Sequence, residues 1–572
     1  MSKFIVSNKC ENVEKVVSHN EMYPVNAEWD ALGVKCVVFD KRAQHHNDIL
    51  WDGLGGAFIV GTPLFRDGID GDNIAGYVYE HTSDNGISGI KNDVVGYWAA
   101  LVVKDGALYV FNDYYGIYDV LYSQEDGFFS IGCELSDVAR CLRTLEYDEY
   151  PFVMENFQMG AFPGLTSFKG INKVKPNTYL KIEGGNLFEN EIIRKQISYK
   201  FSNANKAIED VTALIKCYAE RISRRYSPMS IGMTGGLDSR LMFAAFKTVD
   251  AKISFMHGAH SGGRSEDGAI VRELSKAYQI PLEIVDWEQP KSFCLEDQKD
   301  VFEEVGFSNY IAAGCKKHFE QFYDEATHFP FKQSGYFCEA IRLREWAEKK
   351  GKTFSLQDYV DNYFIDKTLR SVYVNYDSYR DYLMKGFVNQ LREMGYGGDV
   401  NKIPIDLFER FRWNMSRFHD SRSVVCDNMN HYHFSLLAVP YIHEAILSLP
   451  ADVIKNGSFQ IKVIEKLDPN LLKFDVFSHR RAFYIKNYKK RHKLTMKNIA
   501  DVVLEKTPAL KKMLVNTYQK IKYGSTAKQN LMANQIKDMN VKLPDYLNFE
   551  AYGGSLVRLR SFAIGLHCIQ NS

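Results

Sequence analysis

The stretch of this sequence best suited to chemistry is a glycine-rich turn within residues 230–246, SIGMTGGLDSRLMFAAF. A short apolar run meets two glycines, an aspartate and a serine, and apolar residues at helical spacing follow at once. A strand, a tight turn and a helix start form an anion site, because free backbone N–H groups and the positive end of the helix dipole face one point. The P-loop motif G-x-x-x-x-G-K-[ST] does not occur in the chain. The turn therefore predicts a phosphate site of another type; the alternative is a turn that holds no ligand.

Strands and helices alternate around this turn. A long helix is predicted first, at ANKAIEDVTALIKCYAERISRRY, from apolar residues at helical spacing. The segments after it predict strands at MSIGMT, ISFMHG and LEIVDW, and helices at SRLMFAAF and EDGAIVRELSKAYQI. This order is typical of a parallel sheet whose ligands bind at the carboxyl ends of the strands. MTGG and MHG both lie at such ends.

The first part of the chain has a different pattern. Within residues 1–195, short β-branched and aromatic runs such as GYWAALVV and ALYVFND are separated by Gly, Asp and Asn, which favours a sheet-dominated domain. Beyond residue 290 the pattern is mostly helical. Because 572 residues are too many for one core, we predict an α+β domain at 1–195 and an α/β domain with a parallel sheet and many helices at 196–572.

Composition narrows the class of protein. Lys plus Arg and Asp plus Glu both number 71, so the net charge favours no particular partner. The ten cysteines are scattered singly, which is typical of reduced thiols in the cytosol. No apolar run is long enough to span a membrane, and the first residues lack the apolar core of a signal peptide. These features predict a soluble cytoplasmic protein.

A local excess of basic residues lies at 480–524, which contains thirteen Lys and Arg residues but only two acidic residues, Asp501 and Glu505. One interpretation is a surface for an acidic partner, such as an anionic glycan, a lipid headgroup or a nucleic acid. The other is a solvated helical face.

TGGLDS at 234–239 closely resembles the SGGLDS pyrophosphate loop of the asparagine synthetase family. That family belongs to the ATP pyrophosphatases, which cleave ATP between the α and β phosphates. The resemblance implies that ATP binds at Met233, Thr234, Gly235, Gly236, Leu237, Asp238, Ser239 and His257.

A second segment, KQSGYFCEA at 332–340, resembles the family's SGEGADE loop. Ser334 and Gly335 match it and would add to the ATP site, and Glu339 falls where the family has a Mg²⁺-binding Asp. The resemblance implies that Asp238 and Glu339 hold Mg²⁺, since two carboxylates and phosphate oxygens suit this ion. Alone, Glu339 would be a surface carboxylate.

A third segment, FQIKVIEKL at 459–467, places Lys462 at the start of the family's K-x-x-L-R stretch, with Glu465 and Lys466 in place of Leu-Arg. The resemblance implies a catalytic lysine that neutralises charge developing in the transition state. The alternative is a lysine on an amphipathic helix.

The first domain resembles the family's glutaminase domain, an Ntn-hydrolase-like β-rich sandwich, at residues 94–123 and 169–182. Glutamine-dependent members begin Met-Cys, whereas this chain has Ser2, and the usual glutamine-binding stretches have no counterpart. Cys10 would become N-terminal only after loss of nine residues. N-terminal Ser is a nucleophile in some other amidohydrolases. We predict that the domain keeps the fold without glutaminase activity.

Tyr336 stands where asparagine synthetases have Glu. β-Lactam synthetases and their carbapenam relatives have Tyr there, paired with a Glu, and use it to deprotonate an amine of the substrate. The resemblance gives Tyr336 this catalytic role, since an amine must be neutral to attack; the alternative is packing within the loop. The candidate acidic partners, unranked, are Glu345, Glu348, Asp358 and Asp361.

Three functions follow from these resemblances. The first is an ATP-dependent amide ligase that adenylates a carboxylate and couples it to an amine, in the manner of lasso-peptide and β-lactam cyclising relatives. The second is an asparagine synthase-type enzyme that makes asparagine or amidates a glycan carboxylate. The third is a non-catalytic binding protein. The partners would be a carboxylate and an amine donor on a peptide, small molecule or glycan, and the sequence indicates no oligomeric state.

Overall fold

The computed structural model describes residues 2–41, 48–69, 71–158, 162–249, 251–259, 266–286, 302, 306–307, 328–333, 335, 345–366, 369–478, 481–483, 526–539, 541, 543–544 and 557–570. The first part contains two antiparallel sheets. Its strands are β1 (Lys3–Ser7), β2 (Val25–Ala31), β3 (Val34–Phe39), β4 (Ile49–Trp51), β5 (Gly56–Phe65), β6 (Val94–Lys104), β7 (Ala107–Asn112), β8 (Leu121–Glu125), β9 (Phe128–Gly132), β10 (Ile171–Lys173), β11 (Thr178–Glu183) and β12 (Asn186–Glu191). Its helices are α1 (Cys10–Ser18), α2 (Ile74–His81), α3 (Ile87–Asp93), α4 (Leu135–Arg140) and α5 (Glu149–Phe157).

Each sheet has six strands, in the orders β10-β8-β9-β1-β3-β2 and β12-β11-β7-β6-β5-β4. β5 and β6 pair over their full overlap and are almost wholly buried, because both faces of the second sheet are covered. Alternate residues such as Ile59 and Trp98 pack with α2 and α3, and the residues between them, such as Val60 and Tyr97, join the main core. The sheet-dominated first domain predicted from the sequence is confirmed.

The second part contains a five-stranded sheet in the order β15-β14-β13-β16-β19, in which all neighbours are parallel. Its strands are β13 (Met229–Gly232), β14 (Ile253–Ala259), β15 (Leu282–Asp286), β16 (Phe331–Gln333) and β19 (Tyr432–His433). β17 (Thr353–Phe354) and β18 (Ile403–Pro404) form a separate two-stranded antiparallel sheet, and β20 (Val476–Ser478) forms a short hairpin with β21 (Arg481–Phe483). The predicted parallel sheet is confirmed, with β16 and β19 as strands that the sequence analysis did not include.

Helices make up most of the remaining described residues. They are α6 (Ala204–Tyr226), α7 (Leu237–Lys247), α8 (Glu266–Tyr278), α9 (Glu345–Glu348), α10 (Leu356–Tyr359), α11 (Tyr376–Glu393), α12 (Phe408–Asn430), α13 (Pro440–Leu447), α14 (Ala451–Ile454), α15 (Ser458–Leu467), α16 (Thr526–Asp538) and α17 (Val557–Gln570). A π-helical turn, Val360–Phe364, and five 3₁₀ turns connect some of them; the 3₁₀ turns are Leu369–Ser371, Ile405–Leu407, Leu436–Ala438, Lys455–Gly457 and Pro469–Lys473. No helix in the described part of the chain is both long and apolar enough to cross a membrane.

Helix α12 joins the two parts through buried polar contacts. Thr62 of β5 donates its hydroxyl to the side chain of Asn428 at 2.6 Å, and Lys173 of β10 donates to the Ser421 hydroxyl at 3.3 Å. Arg422 forms an ion pair of 2.7 Å with Glu155 of α5. The C-terminal half of α12, which leads into β19 of the parallel sheet, is therefore held against the first part.

Candidate functional site

The loop after β13 is shaped by its own hydroxyl groups. The Thr234 N–H donates to Ser239 Oγ at 3.0 Å, and the Ser239 hydroxyl donates to the Thr234 carbonyl at 3.0 Å. The Gly236 N–H donates to Thr234 Oγ1 at 3.2 Å. Gly236 precedes α7 and provides no side-chain cap for the N–H groups at the start of that helix. This is the geometry of an anion site at a helix N-terminus.

Gly235 lies at the most crowded point of this loop. Its N–H donates to Asp267 Oδ1 at 2.6 Å, and its carbonyl accepts from the Phe477 N–H at 2.9 Å. A Cβ on Gly235 would lie 2.9 Å from both Asp267 Oδ1 and Phe477 Cβ. A side chain at Gly235 would crowd α8 and β20, so this glycine of the motif has a packing requirement.

Arg240, in the first turn of α7, fixes the loop to a distant segment. Its guanidinium, fully buried, donates to the carbonyls of Gly235 at 3.2 Å, Leu471 and Phe474 at 3.0 Å, and Asp475 at 2.5 Å. Burial lowers the pKa of Arg240 to about 10, and the nearby Asp475 opposes that shift. The side chain remains charged at neutral pH and clamps residues 471–477 against the loop.

Asp238 contacts α15, a helix more than 200 residues further along the chain. Its Oδ1 accepts a hydrogen bond of 3.1 Å from the side-chain amide of Gln460 on α15. Gly457, just before that helix, has φ +71°, and a Cβ there would lie 2.9 Å from Leu237 Cδ1. The start of α15 is therefore packed directly on the start of α7.

Lys462 also lies on α15 but on its exposed side. Phe459, Gln460, Val463 and Ile464 form the buried side, and two positions along a helix rotate a side chain by about 200°. Gln460, rather than Lys462, faces Asp238. The structure thus brings the third motif segment to the loop, while the catalytic role of Lys462 remains a prediction.

The two segments predicted to bind ATP follow adjacent strands of the parallel sheet. β16 pairs in parallel with β13, with Ile231 opposite Gln333, and Gly335 follows as an exposed residue. The sheet order changes direction between these strands, and this switch point is where doubly wound sheets bind ligands, at the carboxyl ends. Ser334, Tyr336 and Glu339 lie outside the described residues.

His257 is at the carboxyl end of β14, next to the same loop. Its Nδ1 lies 2.9 Å from the carbonyl oxygen of Met233, whose own N–H donates to the Met256 carbonyl at 2.7 Å. The side chain is 2% exposed. The predicted ATP-site residues Met233 to Ser239 and His257 are thus brought together.

Ser2 is fully buried at the start of β1. Its hydroxyl lies 3.1 Å from the Phe39 carbonyl and 2.8 Å from the Asp40 carbonyl, to which it donates, and its own carbonyl accepts from the Tyr118 hydroxyl. A hydroxyl held by backbone carbonyls is bound as a structural donor. That the first domain has no glutaminase activity remains a prediction.

Two of the acidic candidates for the Tyr336 partner already bind cations. Asp361 accepts from both Nε and Nη2 of Arg380, at 2.6 and 2.8 Å, and Asp358 binds Lys350. These hydrogen bonds lower the pKa of both carboxyl groups. Glu345 and Glu348 lie on the short helix α9.

Apart from β21, the basic segment 480–524 lies outside the described residues.

Comparisons with known proteins identify no family. No protein-family model matches the sequence, and no curated protein matches it at a significant level. Among solved structures, the chain is similar to glutamine phosphoribosylpyrophosphate (PRPP) amidotransferase from B. subtilis complexed with ADP and GMP, with 9% identity, a TM-score of 0.22 and coverage of 50% of this chain and 65% of that chain. It is also similar to the allosteric regulatory enzyme of purine biosynthesis, with 8% identity, a TM-score of 0.22 and coverage of 51% and 67%. The chain thus spans about two thirds of these structures, and similarity at this level assigns neither their fold nor their activity to it.

The sequence analysis missed the residues that hold the loop, namely Arg240, Asp267, Gln460 and Phe477. Arg240 could have been noticed in the sequence, because it is a charged residue directly before the apolar run LMFAAF of a predicted buried helix. The others carry none, because their partners are distant in sequence and Phe477 acts through its backbone.

Proposed function

We propose that this chain is an ATP-dependent ligase that forms an amide bond through an acyl-adenylate. A carboxylate oxygen of the substrate attacks the α phosphorus of ATP, and the bond to the β-phosphate oxygen breaks to release pyrophosphate. The nitrogen of an amine then attacks the acyl carbon, AMP leaves, and the amine gives up a proton. The amine belongs either to the same molecule or to a second substrate.

The observation that carries this proposal is the pairing of β13 with β16, since it starts both motif loops at the switch point of one parallel sheet. Residues 234–239 and 334–339 are about a hundred positions apart in the chain. The pairing of β13 with β16 brings the starts of these two segments together, at one edge of the sheet. The uncapped start of α7 supplies N–H donors for the phosphate end of ATP.

The side chains of this loop fit a divalent ion as well as a phosphate. Asp238 is half-buried, and its Oδ1 accepts a hydrogen bond from the amide of Gln460. Oxygen ligands of this kind suit Mg²⁺, which would supply charge neutralisation at the phosphates when bound. We assign Asp238 and Glu339 as the residues that would hold it.

In the second step, Tyr336 takes the proton of the attacking amine, and the role assigned to Lys462 is to neutralise the developing charge. This assignment rests on the motif positions, since Tyr336 lies outside the described residues and Lys462 is exposed on α15. A tyrosine acts as a base only when a neighbouring charge tunes it. Tyr336→Phe is therefore expected to leave adenylate formation intact and to block amide formation.

The first test is binding of Mg²⁺ and a non-hydrolysable ATP analogue, measured by calorimetry. Asp238→Asn is expected to remove the Mg²⁺-dependent part of the affinity. Asp377→Asn is the matched control, because Asp377 is an exposed carboxylate in the first turn of another helix, α11. If Asp238→Asn binds the analogue as the wild type does at every Mg²⁺ concentration, the site assignment is wrong.

The second test is release of AMP and pyrophosphate with a panel of carboxylates, run with and without glutamine and ammonia. The ligase predicts stoichiometric AMP without a need for glutamine. The asparagine synthase-type alternative predicts dependence on ammonia or glutamine and aspartate or a glycan carboxylate as acceptor. ATP binding without turnover on any carboxylate of the panel would favour the binding protein.

A further inference from the structure

His257 carries a buried acceptor beside the nucleotide loop. We propose that its Nε2 accepts a hydrogen bond from a ribose hydroxyl of the nucleotide, so that this histidine selects ribonucleotides. The inference rests on the proposed function and adds to it a residue that binds the ribose of the nucleotide.

The contact with Met233 determines which nitrogen of the His257 ring carries the proton. A carbonyl oxygen only accepts hydrogen bonds, so His257 Nδ1 carries a proton and donates it at 2.9 Å. In the neutral imidazole, Nε2 is then an acceptor. Nε2 is buried and has no hydrogen-bond partner among the residues that the structure describes.

Buried side-chain acceptors in folded proteins are nearly always paired. The His257 side chain is 2% exposed and lies against Met233, the residue directly before the anion-binding turn. A donor brought by the ligand would complete its hydrogen bonding. The helix start thus has a second, independent polar group that points to a ligand.

The position of His257 selects the ribose as the source of that donor. In dinucleotide-binding doubly wound sheets, an Asp or Glu about 20 residues beyond the glycine-rich turn accepts a hydrogen bond from a ribose hydroxyl, and the neutral His257 Nε2 is an acceptor at a similar distance along the chain. His257 follows Gly235 by 22 residues and is at the carboxyl end of β14, the strand beside β13. The ribose is bonded to the α-phosphate through one carbon, whereas the adenine amino group is further from the phosphates.

The experiment compares ATP with 2′-deoxy-ATP, 3′-deoxy-ATP and the triphosphate of purine riboside, which lacks the amino group. Binding to the wild-type chain is measured by calorimetry with saturating Mg²⁺. We expect one of the two deoxynucleotides to bind about tenfold more weakly than ATP, which is the upper range for one neutral hydrogen bond. The purine riboside nucleotide is expected to bind as ATP does.

The variant His257→Leu should bind ATP as weakly as the wild type binds the affected deoxynucleotide, and should no longer discriminate between the two. His257→Gln retains an acceptor oxygen and should restore part of the discrimination. His81→Leu is the control, since His81 is exposed at the end of α2. The analogue series on the wild type stands even if His257→Leu does not fold.

Equal binding of ATP and both deoxynucleotides to the wild type would overturn the inference while leaving the proposed function intact. Selective loss with the purine riboside nucleotide would assign the donor to the adenine and would equally overturn it. If the wild type binds no ATP at all, the proposed function itself is wrong and the inference falls with it.

Discussion

Replacing Arg240 by Met tests whether the buried guanidinium holds the nucleotide loop. Methionine keeps most of the aliphatic volume but removes donors to the carbonyls of Gly235, Leu471, Phe474 and Asp475. Hydrogen bonds to a charged group contribute about 1.5–3 kcal/mol each, so the four together give about 6–12 kcal/mol. Burying the guanidinium costs several kcal/mol, which the variant recovers. The net loss expected is about 3 kcal/mol.

The loss should be concentrated at the loop and at the segment that Arg240 clamps. Hydrogen exchange followed by mass spectrometry is expected to show faster exchange in peptides covering 234–240 and 471–477, with unchanged rates in the two antiparallel sheets. The free energy of unfolding in urea gives the global value. Arg224→Met is the control, because the side chain of Arg224 is 72% exposed and forms a surface pair with Glu220. That variant should lie within about 0.5 kcal/mol of the wild type.

The clamp also makes a prediction about binding. If Arg240 positions the loop, Arg240→Lys should restore part of the affinity for the ATP analogue, since one ammonium reaches some of the same carbonyls. Unchanged exchange at 234–240 in Arg240→Met, together with unchanged stability, would refute the reasoning.

Two further predictions concern the first part and the interface. Ser2→Ala should leave release of glutamate from glutamine at background, and should lower the free energy of unfolding by about 1 kcal/mol because one buried hydrogen bond is lost; glutamate release that depends on Ser2 would contradict the prediction. Burial lowers the pKa of His443 to about 3, below its ordinary value near 6.5. Between these values the unfolded chain binds a proton that the folded chain does not, so its contribution to stability is complete above pH 6.5 and is lost as the pH falls toward 3, by up to about 1.4 kcal/mol per pH unit. Urea unfolding of the wild type and His443→Gln at several pH values should show a smaller slope for the variant, and equal slopes would exclude His443 as the source.

The elements that the sequence predicted best are those with long apolar patterns. The helix α6 and the run from β13 to β15 were found at nearly the predicted residues, because each buries a regular face. β16 and β19 have only three and two residues, so no periodicity distinguishes them from loops. Their place in the sheet depends on partners a hundred or more positions away.

The candidate site divides in the same way. The turn at 234–239 was predicted because its chemistry is local to six residues. Gln460 and Asp267 were missed, since their importance comes from where α15 and α8 begin in space. The burial of Ser2 was equally out of reach, because its two acceptors are backbone carbonyls on β3 and just after it, and a backbone oxygen leaves no trace in the sequence.

The hydroxyl of Thr62 bears on whether the second part of the chain can be separated from the first. It donates to Asn428 and accepts from the His433 N–H at 2.9 Å, so a strand of the first part holds the edge strand β19, which pairs with β16. A fragment that begins at residue 196 would leave that amide and the end of α12 without their partner. A first part without glutaminase activity would therefore still be needed to hold the edge of the parallel sheet in place.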